Sequence, residues 1–115
     1  MVEVTQGEIW WADLPDPEGS GPGFHRPVLI VQGNPLNRSR IATVVCVLLT
    51  SNLVWAEAPG NTLLPADVSG LPKDSVANAS QILTVDRALL SRRAGRLSPK
   101  RLAQVMSGID VVLGR

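Results

Sequence analysis

Residues 41–49, IATVVCVLL, form an apolar run that a soluble chain has to bury. Most of its members are β-branched, so the run predicts a long buried strand over Ile41–Leu49. The chain has 115 residues, with 44% hydrophobic and 18% charged content, which is typical of a soluble globular protein of one domain. We therefore expect a single domain, residues 1–115, built around a sheet.

Other segments have the composition of strands, with turn residues between them. The segment Gly33–Arg40 is rich in Asn, Gly and Pro and predicts a turn-rich connection. A nine-residue stretch of Pro, Gly and acidic residues, Pro15–Gly23, predicts a mobile loop. The further predicted strands are Glu8–Leu14, Arg26–Gln32, Ala56–Leu64 and Ser75–Leu83.

The C-terminal residues predict a helix. Ser98 suits the N-cap and Pro99 the first helical position, and the pattern ends near Gly114. A short helical turn is expected before it, at Asp86–Leu90. The apolar stripe consists of Leu102, Val105, Ile109 and Val112. The fold class is therefore mainly β (β+α): a small, strongly bent sheet or barrel, closed by a terminal helix.

Charge is unevenly distributed along the chain, although the net charge is only +1. Residues 1–60 carry three basic and six acidic side chains, whereas residues 61–115 carry eight basic and four acidic ones. Six of those eight basic residues lie between Arg87 and Arg101. Such a cluster could follow nucleic-acid phosphates, and a solvated, helix-rich surface is the alternative.

The sequence has no apolar stretch of about 18 residues and no basic leader, so we expect a cytoplasmic protein without a membrane span. A single cysteine excludes an internal disulfide. Cys46 lies inside the apolar run, where a cysteine usually serves as a small buried hydrophobe.

Several short segments, taken in order, resemble the MazF/PemK family of toxin endoribonucleases. They are Gly7-Glu8-Ile9-Trp10, His25-Arg26-Pro27, Leu49-Thr50-Ser51, Ser80-Gln81 and the ending Ile109–Gly114. The resemblance implies an SH3-like barrel with a short helix and a C-terminal helix, a homodimer, and sequence-specific cleavage of single-stranded RNA without a metal or other cofactor. The natural substrate would be mRNA, rRNA or tRNA.

Arg26 matches the catalytic arginine of that family. RNA cleavage without a metal proceeds by attack of a ribose 2′-oxygen on the adjacent phosphate, so negative charge on the phosphorane oxygens has to be stabilised. An arginine stays protonated and offers a planar fork of donors that fits phosphate oxygens. The alternative is a structural arginine paired with a loop acid such as Glu18.

Thr50 matches the family's catalytic threonine, and Ser51 follows it. Their hydroxyls could orient the phosphate or the attacking 2′-hydroxyl, whereas a Thr-Ser pair at a strand end is otherwise a turn or capping element. His25 has the only side chain with an ordinary pKa near neutrality, about 6.5. Because neighbouring strand residues point to opposite faces, we expect His25 to support the site from its rim if Arg26 faces the phosphate.

Base recognition needs aromatic rings on which bases stack and polar side chains that form hydrogen bonds with base edges. The candidate stacking residues are the four aromatics, Trp10, Trp11, Trp55 and Phe24. Alternation along the strand predicts that one of Trp10 and Trp11 is buried and the other exposed. Gln81 matches a glutamine of the family and could read a base edge, and Asn37 is a further candidate. Gly21 stands where some relatives carry a glutamate.

The resemblance also implies a partner, a MazE-like antitoxin whose acidic, disordered tail folds into the RNA groove. An alternative function remains open, because the same superfamily includes barrels that poison DNA gyrase without cutting RNA, or that serve only as interaction modules.

Overall fold

The computed structural model describes residues 2–15 and 24–115, without the side chain of Phe24. The strands are β1 (Glu8–Leu14), β2 (Phe24–Ile30), β3 (Thr43–Thr50), β4 (Thr62–Leu64), β5 (Ser75–Asp86) and β6 (Leu90–Arg96). The helices are α1 (Asn34–Asn37), α2 (Ala66–Ser69) and α3 (Pro99–Leu113), and two 3₁₀ turns span Leu53–Glu57 and Arg87–Leu89. No helix in this described part is long and apolar enough to cross a bilayer.

The strands form one curled antiparallel sheet in the order β4-β5-β3-β2-β1-β6. Strand β3 lies inside the sheet, which explains why its sequence is apolar at nearly every position. Val47 and Leu49 belong to a core on one face, together with Val105 of α3, whereas Val44 and Cys46 belong to a second core on the other face. The predicted mainly β fold with a terminal helix is confirmed.

Helix α3 begins and ends where its sequence predicts. The Ser98 hydroxyl accepts a hydrogen bond from the Arg101 backbone N–H, and Gly114 ends the helix in the left-handed region at φ 72°. Val105 and Ile109 are buried, whereas Val112 at the end of the stripe is 39% exposed. The helix therefore packs on the sheet through its first and middle turns.

Two expectations about local structure were wrong. Ala56–Leu64 is not one strand: the side chain of Asn52 caps the 3₁₀ turn Leu53–Glu57, and only Thr62–Leu64 then pairs with β5. The basic cluster Arg87–Arg101 is not a helix-rich surface throughout: the expected short turn is present as the 3₁₀ turn Arg87–Leu89, but Leu90–Arg96 then pairs with β1 as an edge strand. Pairing with a distant strand overrides the weak strand propensity of that segment.

The basic residues of this segment have different environments. Arg87 is buried, and its guanidinium donates to the backbone carbonyls of Asn37 at 2.8 Å and of Leu36 at 3.4 Å. Arg93 pairs with the buried carboxylate of Glu8 at 3.0 Å. At least these two arginines stabilise the fold, so the cluster is not a continuous phosphate-binding surface.

Cys46 is fully buried, and this burial raises the pKa of its thiol from 9.0 to about 12. Because the thiolate is the reactive form, we expect a thiol reagent at pH 8 to leave the native protein unlabelled and to label one thiol after denaturation. The raised pKa also means that this group favours folding below pH 9 and that its contribution falls as the unfolded thiol ionises. Native labelling as fast as that of the unfolded chain would contradict this burial.

Candidate active site

Arg26 and Thr50 come together because β2 and β3 are antiparallel neighbours. Their recorded pairs are Val28 with Leu48, Leu29 with Val47 and Ile30 with Cys46. Continuing this register by two residues sets Arg26 opposite Thr50, and alternation places both side chains on the same face of the sheet. In agreement with this extension, the two proposed catalytic residues, 24 positions apart in the sequence, both line the first and the third of the cavities described next.

Three cavities meet at Arg26, which lines all of them. The first cavity has a volume of about 310 Å³ and is also lined by His25, Thr50 and Ser51. The second, of about 520 Å³, runs along the apolar face of β5 toward Leu83. The third, of about 360 Å³, shares Thr50 with the first. Arg26 is the one residue that all three cavities share.

The charge of these cavities favours an anion. Among the described residues, the first cavity is lined by Arg26 and Lys73 and by no carboxylate, and the third has Arg26 as its charged residue. Asp86 lines only the second cavity, and its side chain is already used to accept from the backbone N–H of Ala88. No ion pair joins Arg26 to another residue of the described part of the chain. Glu18 lies outside that part.

The Thr50 hydroxyl accepts a hydrogen bond within the turn after β3 and keeps its own hydrogen as a donor. Its hydroxyl oxygen accepts a hydrogen bond of 3.1 Å from the backbone N–H of Asn52. A hydroxyl that accepts can still donate, so this bond fixes the oxygen while the O–H stays available for a ligand oxygen. Ser51 is exposed at the edge of the first cavity.

His25 lies next to Arg26 in β2, and alternation places its side chain on the other face of the strand. It pairs with Asp13 across β1 and β2, and its Nδ1 lies 2.7 Å from the Asp13 carboxylate. Its ring stacks on Trp11, with the ring centroids 4.8 Å apart and the planes inclined by 3°. His25 and Arg26 still line one cavity, because this cavity opens where the strand ends. A rim position agrees with the alternation argument.

The prediction that one of the two adjacent tryptophans is buried and the other exposed was wrong. Trp10 and Trp11 are both partly buried, because each face of the sheet carries its own core. Trp10 also donates its Nε1–H to Glu8 at 3.2 Å. Trp55, on the 3₁₀ turn after β3, is the more exposed ring at 49%, and it lines the third cavity.

Strand β5 carries an irregularity beside the site. Val47 pairs with Ile82 and Leu49 with Ala77, so β5 holds three more residues than β3 over this stretch. Such bulges bend a strand and redirect its side chains, and they are common next to active sites. Gln81 lies in this segment, is exposed, and lines both the second and the third cavity. Its predicted place in the site is consistent with these positions.

The structure does not bring Asn37 to these cavities. Its side chain is 5% exposed, donates to the carbonyl of Gln32 at 2.9 Å and accepts from the Gln32 side chain at 2.9 Å. Its amide therefore ties α1 to the end of β2. The side chain of Phe24, and Gly21 with most of the loop Pro15–Gly23, lie outside the described residues.

Three polar residues of the third cavity were missed in the sequence: Asn61, Asn78 and Ser80. They lie on two separate segments, and no spacing signals their contact. Ser80 belongs to the dipeptide Ser80-Gln81, of which only the glutamine is predicted from the sequence to be a site residue. In residues 2–15 and 24–115 no three His, Cys, Asp or Glu side chains gather as a metal site. Metal independence stays a prediction.

Comparison with known proteins points to one family. Residues 5–113 match the family described as PemK-like, MazF-like toxin of type II toxin-antitoxin system. The chain is 43% identical over 110 residues to Endoribonuclease MazF2 of Mycobacterium bovis and to Endoribonuclease MazF6 of Mycobacterium tuberculosis, and each alignment covers 96% of both chains.

A solved structure has the same fold. It is described as an endoribonuclease in complex with its cognate antitoxin from Mycobacterial species, and it superposes with a TM-score of 0.77 at 27% identity. The similarity covers 96% of this chain and 95% of that chain.

Proposed function

Because the chain belongs to the PemK-like, MazF-like family of type II toxin–antitoxin toxins, we propose that it is an endoribonuclease that cuts single-stranded RNA and binds the cleaved phosphate at Arg26. The observation that carries this assignment is that Arg26 and Thr50 line the same two cavities, at positions that the extended register of β2 and β3 sets opposite each other. A guanidinium and a hydroxyl on one face can hold two oxygens of a single phosphate.

Arg26 stabilises the charge that develops during the reaction. The ribose 2′-oxygen attacks phosphorus, the bond from phosphorus to the 5′-oxygen breaks, and the negative charge on the non-bridging oxygens rises between these steps. A fixed cation whose donors already point to those oxygens lowers this barrier without reorganisation. The products are a 2′,3′-cyclic phosphate and a 5′-hydroxyl, with the proton of the 2′-hydroxyl leaving and one proton joining the 5′-oxygen.

Thr50 orients the reacting group. The Asn52 backbone N–H holds its oxygen, and the remaining O–H donates to a phosphate oxygen beside Arg26. A threonine hydroxyl is too weak a base to take the proton from the 2′-hydroxyl, so its role is positioning.

We expect Thr50→Val to lower the rate of RNA cleavage by about 10- to 100-fold, because it removes the hydroxyl and keeps the branched shape. Thr50→Ser should stay within roughly threefold of the wild-type rate, because serine keeps the hydroxyl. The measurement is cleavage of a labelled RNA, with thermal unfolding to compare the variants. Thr43→Val, at the other end of β3 and outside the three cavities, is the matched control. A Thr50→Val enzyme as active as Thr43→Val would remove Thr50 from the mechanism.

A barrel of this superfamily that poisons DNA gyrase, or that only mediates interactions, is not favoured. The relatives that match over almost the whole chain are named endoribonucleases. Neither alternative needs an arginine and a threonine hydroxyl opposed on one face of the sheet.

We also propose a cognate antitoxin and a homodimer. A related endoribonuclease was solved with its cognate antitoxin, and an acidic peptide suits cavities that carry Arg26 and Lys73. Exposed apolar residues outside the three cavities remain for self-association: Leu53, Val54, Val111, Val112 and Leu113. We expect sedimentation equilibrium at micromolar concentration to give twice the chain mass of 12.3 kDa. A single-chain mass would exclude a stable dimer.

A further inference from the structure

We propose that Asn78 makes the third cavity a subsite for a base with a keto edge, uracil or guanine, next to the phosphate position at Arg26. This inference rests on the proposed function, since it assumes that RNA lies across Arg26. It concerns which base is accepted, a property that the catalytic pair does not determine. It follows from the hydrogen bonds of three polar side chains, Asn61, Asn78 and Ser80.

Asn61 is fixed in one orientation by two backbone groups. Its Oδ1 accepts from the N–H of Ala79 at 2.8 Å, and its Nδ2 donates to the carbonyl oxygen of Trp55 at 2.9 Å. An N–H can only donate and a carbonyl can only accept, so exchanging the amide oxygen and nitrogen of Asn61 would lose both bonds. The orientation of Asn61 is therefore set by the fold.

Asn61 in turn sets the orientation of Asn78. The Nδ2 of Asn61 lies 3.3 Å from the Oδ1 of Asn78, and the Ser80 hydroxyl donates to that same oxygen at 3.1 Å. Both acceptor positions of the Asn78 oxygen are thus used. Its amide nitrogen has no hydrogen-bond partner in the described part of the chain, so two N–H donors are left to face a ligand.

The cavity around Asn78 suits one nucleotide. Its volume of about 360 Å³ is within the range of small-ligand sites, about 300–1,000 Å³. Trp55, 49% exposed, supplies an aromatic wall for a base. Arg26 and Thr50 line the same cavity, so a base bound there belongs to a nucleotide that contacts the reacting phosphate.

A pair of N–H donors discriminates between bases. Uracil and guanine present a keto oxygen, which accepts from the Asn78 amide, whereas cytosine and adenine present an amino group at the corresponding position. Two donors that face each other make no hydrogen bond, and Asn78 cannot turn over without losing its bond from Asn61 and setting its own N–H groups against the N–H groups of Asn61. The amide is therefore held in the orientation that selects a keto edge.

Octamers of 2′-deoxyuridine and 2′-deoxycytidine test this directly, because they differ at the keto and amino group and, lacking a 2′-hydroxyl, cannot be cut. In binding titrations we expect the wild-type protein to prefer the uracil octamer by about fivefold. Asn78→Asp should reverse the preference, since its second oxygen accepts from the cytosine amino group. Its first oxygen still accepts from Asn61 and Ser80, so the fold is kept. Asn78→Ala should abolish the preference.

Asn52→Asp is the control for charge, because it adds the same negative charge on the neighbouring 3₁₀ turn and still caps that turn. It should weaken both octamers equally and leave their affinity ratio unchanged. A wild-type ratio near one, or a ratio that Asn78→Asp leaves unaltered, would overturn the keto subsite even if the protein cuts RNA. A uracil preference that Asn78→Asp reverses, in a protein that cuts no RNA, would support the subsite and refute the nuclease.

Discussion

Replacing Arg26 with alanine is expected to lower RNA cleavage by roughly a thousandfold, the largest effect of any single substitution at this site. The variant loses the cation that we propose to bind the phosphate, at the residue that lines all three cavities. Arg26→Lys should recover only part of the rate, because an ammonium keeps the charge but lacks the planar fork that binds two oxygens. The measurement is the single-turnover rate on a labelled RNA.

Arg40→Ala is the matched control for this prediction. Arg40 is exposed on the connection before β3 and lines none of the three cavities, so its loss removes the same charge at a distance. Its rate should stay close to that of the wild type. If Arg26→Ala and Arg40→Ala cut RNA equally well while both remain folded, Arg26 does not stabilise the transition state.

Gly108→Ala is expected to destabilise the protein by about 2–3 kcal/mol, even though alanine is the better helix former by about 1 kcal/mol. A Cβ at Gly108 would overlap the carbonyl oxygen of Gly60 and lie 2.9 Å from its carbonyl carbon. Both obstacles are backbone atoms, and Gly60 itself has a positive φ of 85°. Helix α3 would have to move away from the turn before β4, with a fall in Tm of about 10 °C.

Ser107→Ala separates the two effects, because Ser107 is exposed on the same helix and its substitution changes only helix propensity. In urea unfolding, the midpoint of Gly108→Ala should fall below that of the wild type. The midpoint of Ser107→Ala should rise or stay close to the wild-type value. A Gly108→Ala protein as stable as Ser107→Ala would mean that the helix does not approach the turn this closely.

The elements that could be predicted are those with local signals. Strand β1 and helix α3 have the bounds that the sequence indicates, because Gly7 precedes one and Ser98 with Pro99 begins the other. Strand β6 could not be predicted: its residues, LSRRAGR, contain no β-branched side chain, and it exists because β1 offers a free edge. Strand propensity depends on the residues of the segment itself and carries no information about the strand with which it pairs.

The same distinction applies to the site. Arg26 and Thr50 were candidates through a family resemblance, but their opposition on one face follows from the register of β2 and β3. The contact between Asn61 and Asn78 follows from the pairing of β4 with β5, whose register continues to these two residues, and a linear pattern does not reveal it. Asn37 lies apart from the three cavities, because its amide is hydrogen-bonded inside the fold.

The reaction itself is tested most directly by the chemical nature of the RNA ends. Purified wild-type protein is incubated with a mixed RNA pool in the presence of EDTA, and the 5′ ends of the fragments are sequenced after selective capture of 5′-hydroxyls. Attack by the 2′-oxygen predicts fragments with 5′-hydroxyl ends, and a single 2′-deoxy nucleotide before the cut should block cleavage there. Fragments with 5′-phosphate ends, cleavage at the 2′-deoxy position, or no fragments at all would contradict the mechanism assigned to Arg26 and Thr50.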